Sequence, residues 1–448
     1  MKNENFVPAM KEHFRLVTDE ALADLKSDEG AVFNLEAENS FFLRLNANKV
    51  RQNTHIEQAI LTLRLQKDGK TMSLARMLTG DLERDKRAVQ ALLREGRRDA
   101  ESLPVDPLQL PPVNNGTSSS EFNGRMPSPE EAIGTITATA EGTDLAGLYC
   151  SGPVISANRN SAGQNHWFST ESYFMDYSLY NGEKAAKAVH AGSNWSSDEW
   201  KANLDRTKNQ LSLLSRPVQN VKPGRYRTYL APGAVSEILS TMSWGGLSAS
   251  AWKQGQCAFR KLAEGERKLS AKFSLRENFD LGLTPAFNGL GEVSEKIVPL
   301  IENGEFKQFL TSSRTEKEFG LRSNAASESE GLRSPEILSG SLAEKDVLKT
   351  LGTGFYLSNL HYLNWSDPNA ARITGMTRYA CFWVENGEIA GPIKDLRFDE
   401  SLYDAFGEKL MDLTLGSEMD PAVMTYGARS LGGKKTPGMI IDDWTFTL

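Results

Sequence analysis

The sequence predicts an α+β protein, with an α/β N-terminal domain followed by a β-rich, largely antiparallel and barrel-like C-terminal domain. In the first half of the chain, segments with helical spacing of apolar residues alternate with strand-like runs. In the second half, short β-prone runs are separated by glycine turns. Because a chain of 448 residues usually forms more than one domain, we expect two domains, residues 1–225 and 226–448.

The beginning of the chain predicts two helices and two strands. Apolar side chains recur at helical spacing within residues 6–26 and again within the strongly charged segment 80–100. Between these helices, the runs 41–45 and 59–65 have the composition of strands. Together these elements define a first α/β unit, residues 1–103.

A polar, proline-rich stretch separates this unit from a second one. Residues 104–129 contain six prolines and the run NNGTSSS, a composition typical of a connector rather than of a packed segment. The second unit, residues 125–220, contains a capping box at Ser128 and Glu131, which predicts the start of a helix. Strands and turns follow, and Ser196 predicts the start of a further helix.

Two hairpin signals dominate the C-terminal half. Asn303-Gly304 and Asn386-Gly387 each lie between two strand-like runs. An Asn-Gly pair accepts positive φ at both central residues of a tight turn, so it is the strongest short-range signal for a hairpin. We therefore expect both dipeptides in hairpin turns of the C-terminal domain. After the second hairpin, Gly391-Pro392 is expected to interrupt regular strand pairing.

Composition and charge exclude several classes of protein. The net charge is −7, and the basic residues are scattered, so no nucleic-acid partner is expected. No run approaches the roughly 20 apolar residues that a membrane-spanning helix needs, and the start of the chain lacks the apolar core of a signal peptide. Three widely separated cysteines argue against a disulfide framework. These features predict a cytoplasmic protein that has no membrane partner.

The segment 368–397 carries the most specific pattern in the chain. A polar approach with arginines, threonines and a glycine, residues 372–378, precedes the sequence WVENGEIAGPIKDLR. This order of parts resembles the C-terminal signature of the TldD/PmbA family. The family pairs a metallopeptidase subunit, TldD, with a metal-free relative, TldE or PmbA. The resemblance therefore raises the question of which partner this chain is similar to.

Histidine usage favours the metal-free type. The metallopeptidase members carry a His-Glu-x-x-x-His motif, and the resemblance places Ser240, Thr241 and Gly245 at its first His, Glu and second His. No histidine occurs between His190 and His361. Hydroxyl groups and glycine do not replace the imidazole ligands that a zinc peptidase site uses. The resemblance thus implies no catalytic residue, no metal and no cofactor in this chain, with zinc only in a partner subunit.

An aromatic-rich run, residues 356–365, offers candidates for a peptide groove. Its His361, Tyr362 and Trp365 combine aromatic surface with hydrogen-bonding groups. His361 could alternatively act as a general base oriented by Asp367. The plainer interpretation is a hydrogen-bonded histidine on an ordinary, half-buried core strand.

Arg372 and Arg378 complete the candidate groove. An arginine pair near the entrance of a strand could hold a peptide carboxylate through bidentate hydrogen bonds. The pair could equally neutralise Asp367 or Asp395 as part of the fold. Both interpretations remain open at this point.

The resemblance implies a non-catalytic, metal-free subunit of a TldD/TldE-type cytoplasmic metalloprotease complex that processes or degrades unfolded peptides. The expected partner is a TldD-like metallopeptidase subunit in a pseudo-twofold heterodimer, or a second copy in a homodimer. Two alternatives stay open. The chain could be a self-sufficient peptidase of the same family with a site around His361, or a stand-alone peptide-binding module.

Overall fold

The computed structural model describes residues 5–447, which form two large β-sheets with helices packed on them. The outer ends of the two predicted domains, residues 1–4 and 448, lie outside this range. Strands of the first sheet come from residues 29–192, and strands of the second come from residues 224–446. The predicted domain boundary at residue 225 falls at the start of the second sheet and stays a prediction.

Seven strands within the described residues form the N-terminal sheet. They are β1 (Glu29–Asn46), β2 (Lys49–Lys67), β3 (Lys70–Leu78), β4 (Thr117–Phe122), β5 (Asp144–Asn160), β6 (Asn165–Asn181) and β7 (Lys184–Gly192). The order is β3-β2-β1-β5-β6-β4, and β7 pairs with the far end of β6. The antiparallel pairing of β1 with β5 joins the two predicted α/β units in one sheet. The proline-rich connector between them contributes β4, which is parallel to β6.

Helices cover only one face of this sheet. They are α1 (Phe6–Ala23), α2 (Leu82–Ala100), α3 (Pro129–Thr139) and α4 (Ser197–Leu213). Successive residues of a strand point to opposite faces, so Phe33 and Leu43 of β1 pack beneath the helices, whereas Glu36 and Arg44 belong to the open face. The predicted capping box of α3 is present, with Ser128 at the N-cap. No helix within residues 5–447 is long and apolar enough to span a lipid bilayer.

The C-terminal sheet closes on itself. Its strands are β8 (Gly224–Leu230), β9 (Leu275–Asn278), β10 (Ile297–Glu302), β11 (Glu305–Phe306), β12 (Pro335–Ile337), β13 (Gly354–Asp367), β14 (Arg372–Glu385), β15 (Glu388–Pro392), β16 (Arg397–Ser401), β17 (Leu410–Pro421) and β18 (Gly433–Phe446). Strands β8, β13, β14, β16 and β18 form a ring, because β18 pairs with both β16 and β8. Apart from the parallel β8–β13 pair, the ring is antiparallel. The predicted α+β fold with a barrel-like second half is confirmed.

Short helices accompany this barrel. They are α5 (Pro232–Met242), α6 (Ala249–Lys253), α7 (Arg260–Ala263), α8 (Ser313–Phe319), α9 (Val347–Leu351) and α10 (Leu402–Ala405). Large side chains of the barrel strands, among them Phe355, Phe398 and Trp444, are buried in one core together with the apolar side of α5. The barrel core therefore holds α5 in place.

Both predicted hairpins are confirmed. Asn303 and Gly304 have φ angles of 52° and 78° and connect β10 to β11. Asn386 and Gly387 have φ angles of 50° and 82° and connect β14 to β15. Regular pairing of β15 ends at Pro392, as expected. The polar approach to the second hairpin belongs to β14 itself, so that this strand is twice as long as the apolar run alone indicates.

A segment of the second half lies on the open face of the first sheet. Residues 422–432, which connect β17 to β18, carry Arg429, and this side chain is only 7% exposed. Its guanidinium donates hydrogen bonds to the carbonyl oxygens of Gly152 and Ser172, each at 2.9 Å. The Arg429 backbone N–H donates to the Glu38 carboxylate at 3.1 Å. These bonds connect the barrel to the N-terminal sheet.

Candidate functional site

Helix α5 follows directly on barrel strand β8, and its two sides have different surroundings. Pro232 stands at its first position, where the missing N–H costs no helical hydrogen bond. Apolar side chains such as Ile238 and Leu239 are buried in the barrel core. The opposite side carries Glu237 and Ser240 and is directed toward β17 and β18. Amphipathic spacing thus places polar groups where two strands of the second half pass the helix.

Four side chains on this polar side form a hydrogen-bonded ring. The Ser236 hydroxyl donates to the Asp420 carboxylate. The Lys434 Nζ donates to Ser240 Oγ at 2.6 Å and lies 3.4 Å from Asp420 Oδ2. Ser236 and Ser240 are one helical turn apart, while Asp420 and Lys434 are directly opposite each other on β17 and β18. One turn of helix and one cross-strand pair therefore determine the geometry of the ring.

Glu237 stands beside this ring in an open cleft. Its side chain is accessible to solvent, but the walls of the cleft displace much of its water. This desolvation raises the pKa of the Glu237 carboxyl group, and the negative charge of Asp420 acts in the same direction. The positive charges of Lys434 and Lys187 oppose the shift. Lys187 lies on β7, and β7 is in contact with β17, so the N-terminal sheet borders the same cleft.

Glu418 of β17 lies along the same cleft. Desolvation raises its pKa, and the nearby Arg206 of α4 counteracts this, whereas Asp420 and Glu344 add to it. Like Glu237, Glu418 is accessible to solvent. Neighbouring side chains therefore surround its carboxyl group without covering it. We call this region the α5 cleft; it is bordered by Glu237, Ser240, His361, Glu418, Asp420 and Lys434, and Ser236 is buried behind Asp420.

The predicted peptide-groove residues lie toward the end of β13. The first half of this strand is buried in the barrel, and its second half is mainly exposed. The ring centroids of His361 and Tyr362 are 4.0 Å apart, and Tyr362 is 75% exposed at a positive φ of 54°. Trp365 is half-buried, and its Nε1 donates to the carbonyl oxygen of Trp244 at 3.1 Å. Among the described residues, no hydrogen bond joins His361 to Asp367.

The two predicted arginines occupy separate positions on β14. The Arg372 guanidinium forms an ion pair with Asp399 at 3.1 Å, not with either aspartate that the sequence suggested. Arg378 lies over the ring of Tyr379, 5.2 Å from its centroid. The two arginines are six positions apart on an extended strand, which corresponds to roughly 20 Å. The structure does not bring them to one carboxylate, and a peptide-groove role for each stays a prediction.

Comparison with known families identifies the C-terminal half. Residues 223–448, half of the chain, match the family model described as the PmbA/TldA metallopeptidase C-terminal domain. The chain belongs to the TldD/PmbA family. A curated relative, the metalloprotease PmbA of Escherichia coli O157:H7, is 28% identical over 222 residues, and the match covers 48% of this chain and 46% of PmbA. The chain therefore matches less than half the length of that relative.

Solved structures show that the family fold extends over the whole chain. TldE from Thermococcus kodakarensis superposes with a TM-score of 0.75 at 14% identity, covering 98% of this chain and 100% of TldE. A putative modulator of DNA gyrase from Thermotoga maritima gives a TM-score of 0.74 at 14% identity, with 98% and 99% covered. One from Bacteroides thetaiotaomicron gives 0.74 at 16% identity, with 98% of each chain covered. The fold is therefore that of TldE, as the resemblance implied.

The metallopeptidase branch of the family implies a zinc ion, and the residues on α5 do not fit one. Of the three motif positions, only Ser240 faces the α5 cleft. Thr241 is 2% exposed, and Gly245 lies beyond the end of the helix with a φ of 73°. The ring offers two hydroxyls, the carboxylate of Asp420 and the ammonium of Lys434, which is itself a cation. Within residues 5–447, no group of three or more His, Cys, Asp or Glu side chains could hold a metal ion.

Sequence reasoning missed several residues of the α5 cleft. Glu237 adjoins the serines of the helix, and the i, i+4 spacing of Ser236 and Ser240 could have indicated a polar helix side. Asp420 and Lys434 had no comparable signal, because they lie almost two hundred residues further along the chain. Only the closure of the barrel brings β17 and β18 to α5.

Proposed function

We propose that this chain is the non-catalytic, metal-free subunit of a cytoplasmic metalloprotease complex that processes unfolded peptides, and that a TldD-like partner subunit holds the zinc ion. The observation that supports this most directly is the ammonium of Lys434, bonded to Ser240 and paired with Asp420 on the polar side of α5. The family resemblance places the zinc motif on this helix. A metal cation there would be repelled by the resident positive charge.

The exposed part of β13 supports a role in holding peptide. β8 pairs only with residues 355–357 of β13, and the start of α5 lies against Ser358 and Asn359. From His361 onward, this edge of β13 has no strand partner among the described residues. An extended peptide could add to such an edge through main-chain hydrogen bonds, which tolerate many sequences. The neighbouring rings of His361 and Tyr362 would contact its side chains.

Co-expression tests the subunit assignment. We expect this chain to co-elute in size-exclusion chromatography with a family member that carries the His-Glu-x-x-x-His motif. The complex should hydrolyse an unfolded peptide, and hydrolysis should be lost after chelation or after substitution of the partner's motif. Ser240→Ala in this chain should preserve hydrolysis, because no group on α5 takes part in bond cleavage.

The alternatives give different outcomes in the same experiment. Hydrolysis by the isolated chain that disappears in His361→Ala would favour the self-sufficient peptidase and contradict the proposal. A chain that binds peptide but never associates with the metal-bearing relative would favour a stand-alone binding module. Self-association without the relative would indicate a homodimer.

A further inference from the structure

The open face of the N-terminal sheet contains a large pocket that is separate from the ring on α5. It has a volume of about 970 Å³, within the range of ligand pockets. Strands β1, β2, β5, β6 and β7 form its floor, and Thr425 of the segment 422–432 contributes to its wall. Three basic side chains, Arg44, Arg51 and Lys187, line it together with one acidic side chain, Asp176.

A β-bulge directs one of these arginines into the pocket. Arg44 of β1 is opposite Gln52 of β2, but the next pair along is Leu45 with Val50. Arg51 is therefore the extra residue of the bulge and has no opposite neighbour. Such a bulge re-aims a side chain that regular alternation would turn to the other face, and Arg51 and Gln52 both line the pocket. Two guanidinium groups thus stand on neighbouring strands above one floor.

The charges of this pocket are only partly compensated. Lys187 forms an ion pair with Asp176. Arg44 and Arg51 are exposed, and neither guanidinium group has a hydrogen bond or ion pair to another described residue. The chain as a whole carries a net charge of −7. The pocket, with three basic groups and one acidic group, has the opposite sign of charge. The uncompensated charge suits an anion, and guanidinium groups bind carboxylates with two parallel hydrogen bonds.

The pocket is also connected to the α5 cleft. Lys187 lines the pocket on β7, and β7 packs against β17, the strand that carries Glu418 and Asp420 of the cleft. An extended peptide lying along the cleft could therefore place one end in the pocket. We propose that the guanidinium pocket, defined by Arg44, Arg51 and Lys187, binds a carboxylate of the peptide, either its C-terminal α-carboxylate or an acidic side chain. The choice of a peptide as ligand rests on the proposed function.

A nucleic acid fits these observations less well than a peptide. A phosphate backbone requires a row of basic side chains over several nucleotides, whereas the basic residues of this chain are scattered. Asp176 would also repel a polyanion at the floor of the pocket. A single carboxylate needs only the two unpaired guanidinium groups.

Calorimetric titration of the isolated chain tests this proposal. The probe is a short N-acetylated peptide of alanine, serine and valine in three versions: with a free C-terminal carboxylate, with a C-terminal amide, and as an amide with one internal glutamate. We expect the free acid or the glutamate peptide to bind at least about tenfold more tightly than the plain amide. The double variant Arg44→Gln/Arg51→Gln should remove this difference. Asp176→Asn should strengthen binding, because it frees Lys187.

Controls separate the pocket from general effects of charge. Arg87→Gln removes another exposed arginine, from α2 on the covered side of the sheet, and this variant should bind all versions like the unaltered chain. Unchanged thermal unfolding of the double variant shows that its fold is intact. The proposal is overturned if neither the free acid nor the glutamate peptide binds more tightly than the plain amide, if the preference persists in the double variant, or if a single-stranded oligonucleotide binds more tightly than every peptide.

This test is independent of the subunit assignment. It uses the isolated chain without metal or partner, and it measures binding rather than hydrolysis. Failure of co-elution with a metal-bearing relative would therefore leave the carboxylate selectivity measurable. Conversely, if the chain forms the active complex but shows no carboxylate selectivity, the proposed carboxylate binding is contradicted and the subunit assignment is not.

Discussion

The α5 cleft and the guanidinium pocket both contain accessible basic side chains, and they differ in how these charges are paired. In the α5 cleft, Lys434 is bonded to Ser240 and paired with Asp420. In the guanidinium pocket, Arg44 and Arg51 have no partner among the described residues. A cation held by its own chain contributes to the fold, whereas one without a partner remains available to a ligand.

Strand register explains the difference. Asp420 and Lys434 are directly opposite on antiparallel strands, which brings their side chains within reach of each other. Arg51 is the extra residue of a bulge, and Arg44 is opposite the neutral Gln52, so neither arginine has an acidic cross-strand neighbour on β2 or β1. Strand register thus places an opposite charge beside Lys434 and leaves Arg44 and Arg51 without one.

The largest effect is expected at the contact between the two halves. Arg429→Met would leave the carbonyl oxygens of Gly152 and Ser172 without their donor in a buried position. We expect a loss of about 2–4 kcal/mol in the free energy of unfolding, measured with denaturant. Peptide binding in the guanidinium pocket should weaken too, because Thr425 belongs to the same segment. Arg397→Met, at an exposed position, is the matched control, and equal stability of both variants would contradict the structural role of Arg429.

A smaller effect is expected from breaking the ring on α5. Lys434→Met leaves the carboxylate of Asp420 with only the Ser236 hydroxyl, so the free energy of unfolding should fall by about 1–2 kcal/mol. Arg44→Met removes no side-chain hydrogen bond or ion pair to another described residue and should change the free energy of unfolding by less than about 0.5 kcal/mol. Both variants remove one positive charge. Equal losses of stability in the two variants would contradict the conclusion that the paired Lys434 stabilises the fold and the unpaired Arg44 does not.

The smallest effect concerns pH. Desolvation raises the pKa of Glu237 in the folded chain, so the folded state retains a proton that the unfolded state has already released. Stability is therefore lost as the pH rises through the interval between the ordinary and the raised pKa. Glu237→Gln should remove this dependence and raise the midpoint of thermal unfolding slightly at neutral pH, but not at a pH below that interval. A stabilisation of equal size at both pH values would contradict the assignment.

The sequence located the elements that depend on a few consecutive residues. Asn386-Gly387 predicted its hairpin because both residues accept positive φ, and Ser128 predicted a helix start because its hydroxyl caps the backbone. The resemblance of the C-terminal signature also led to the correct family. On α5, however, only one of the three motif positions located the cleft, because helical periodicity buries Thr241 and leaves Ser240 accessible.

Long-range contacts required the tertiary structure. Closure of the barrel places Asp420 and Lys434 beside α5, and the segment around Arg429 reaches the other sheet. The bulge at Arg51 likewise depends on how β1 and β2 align over their whole length. By itself, the sequence determined the turns, the helix starts, the family and the absence of histidine between residues 190 and 361. Only the tertiary structure decided which charges are paired, because strand register and barrel closure are set by packing over the whole chain rather than by local backbone preference.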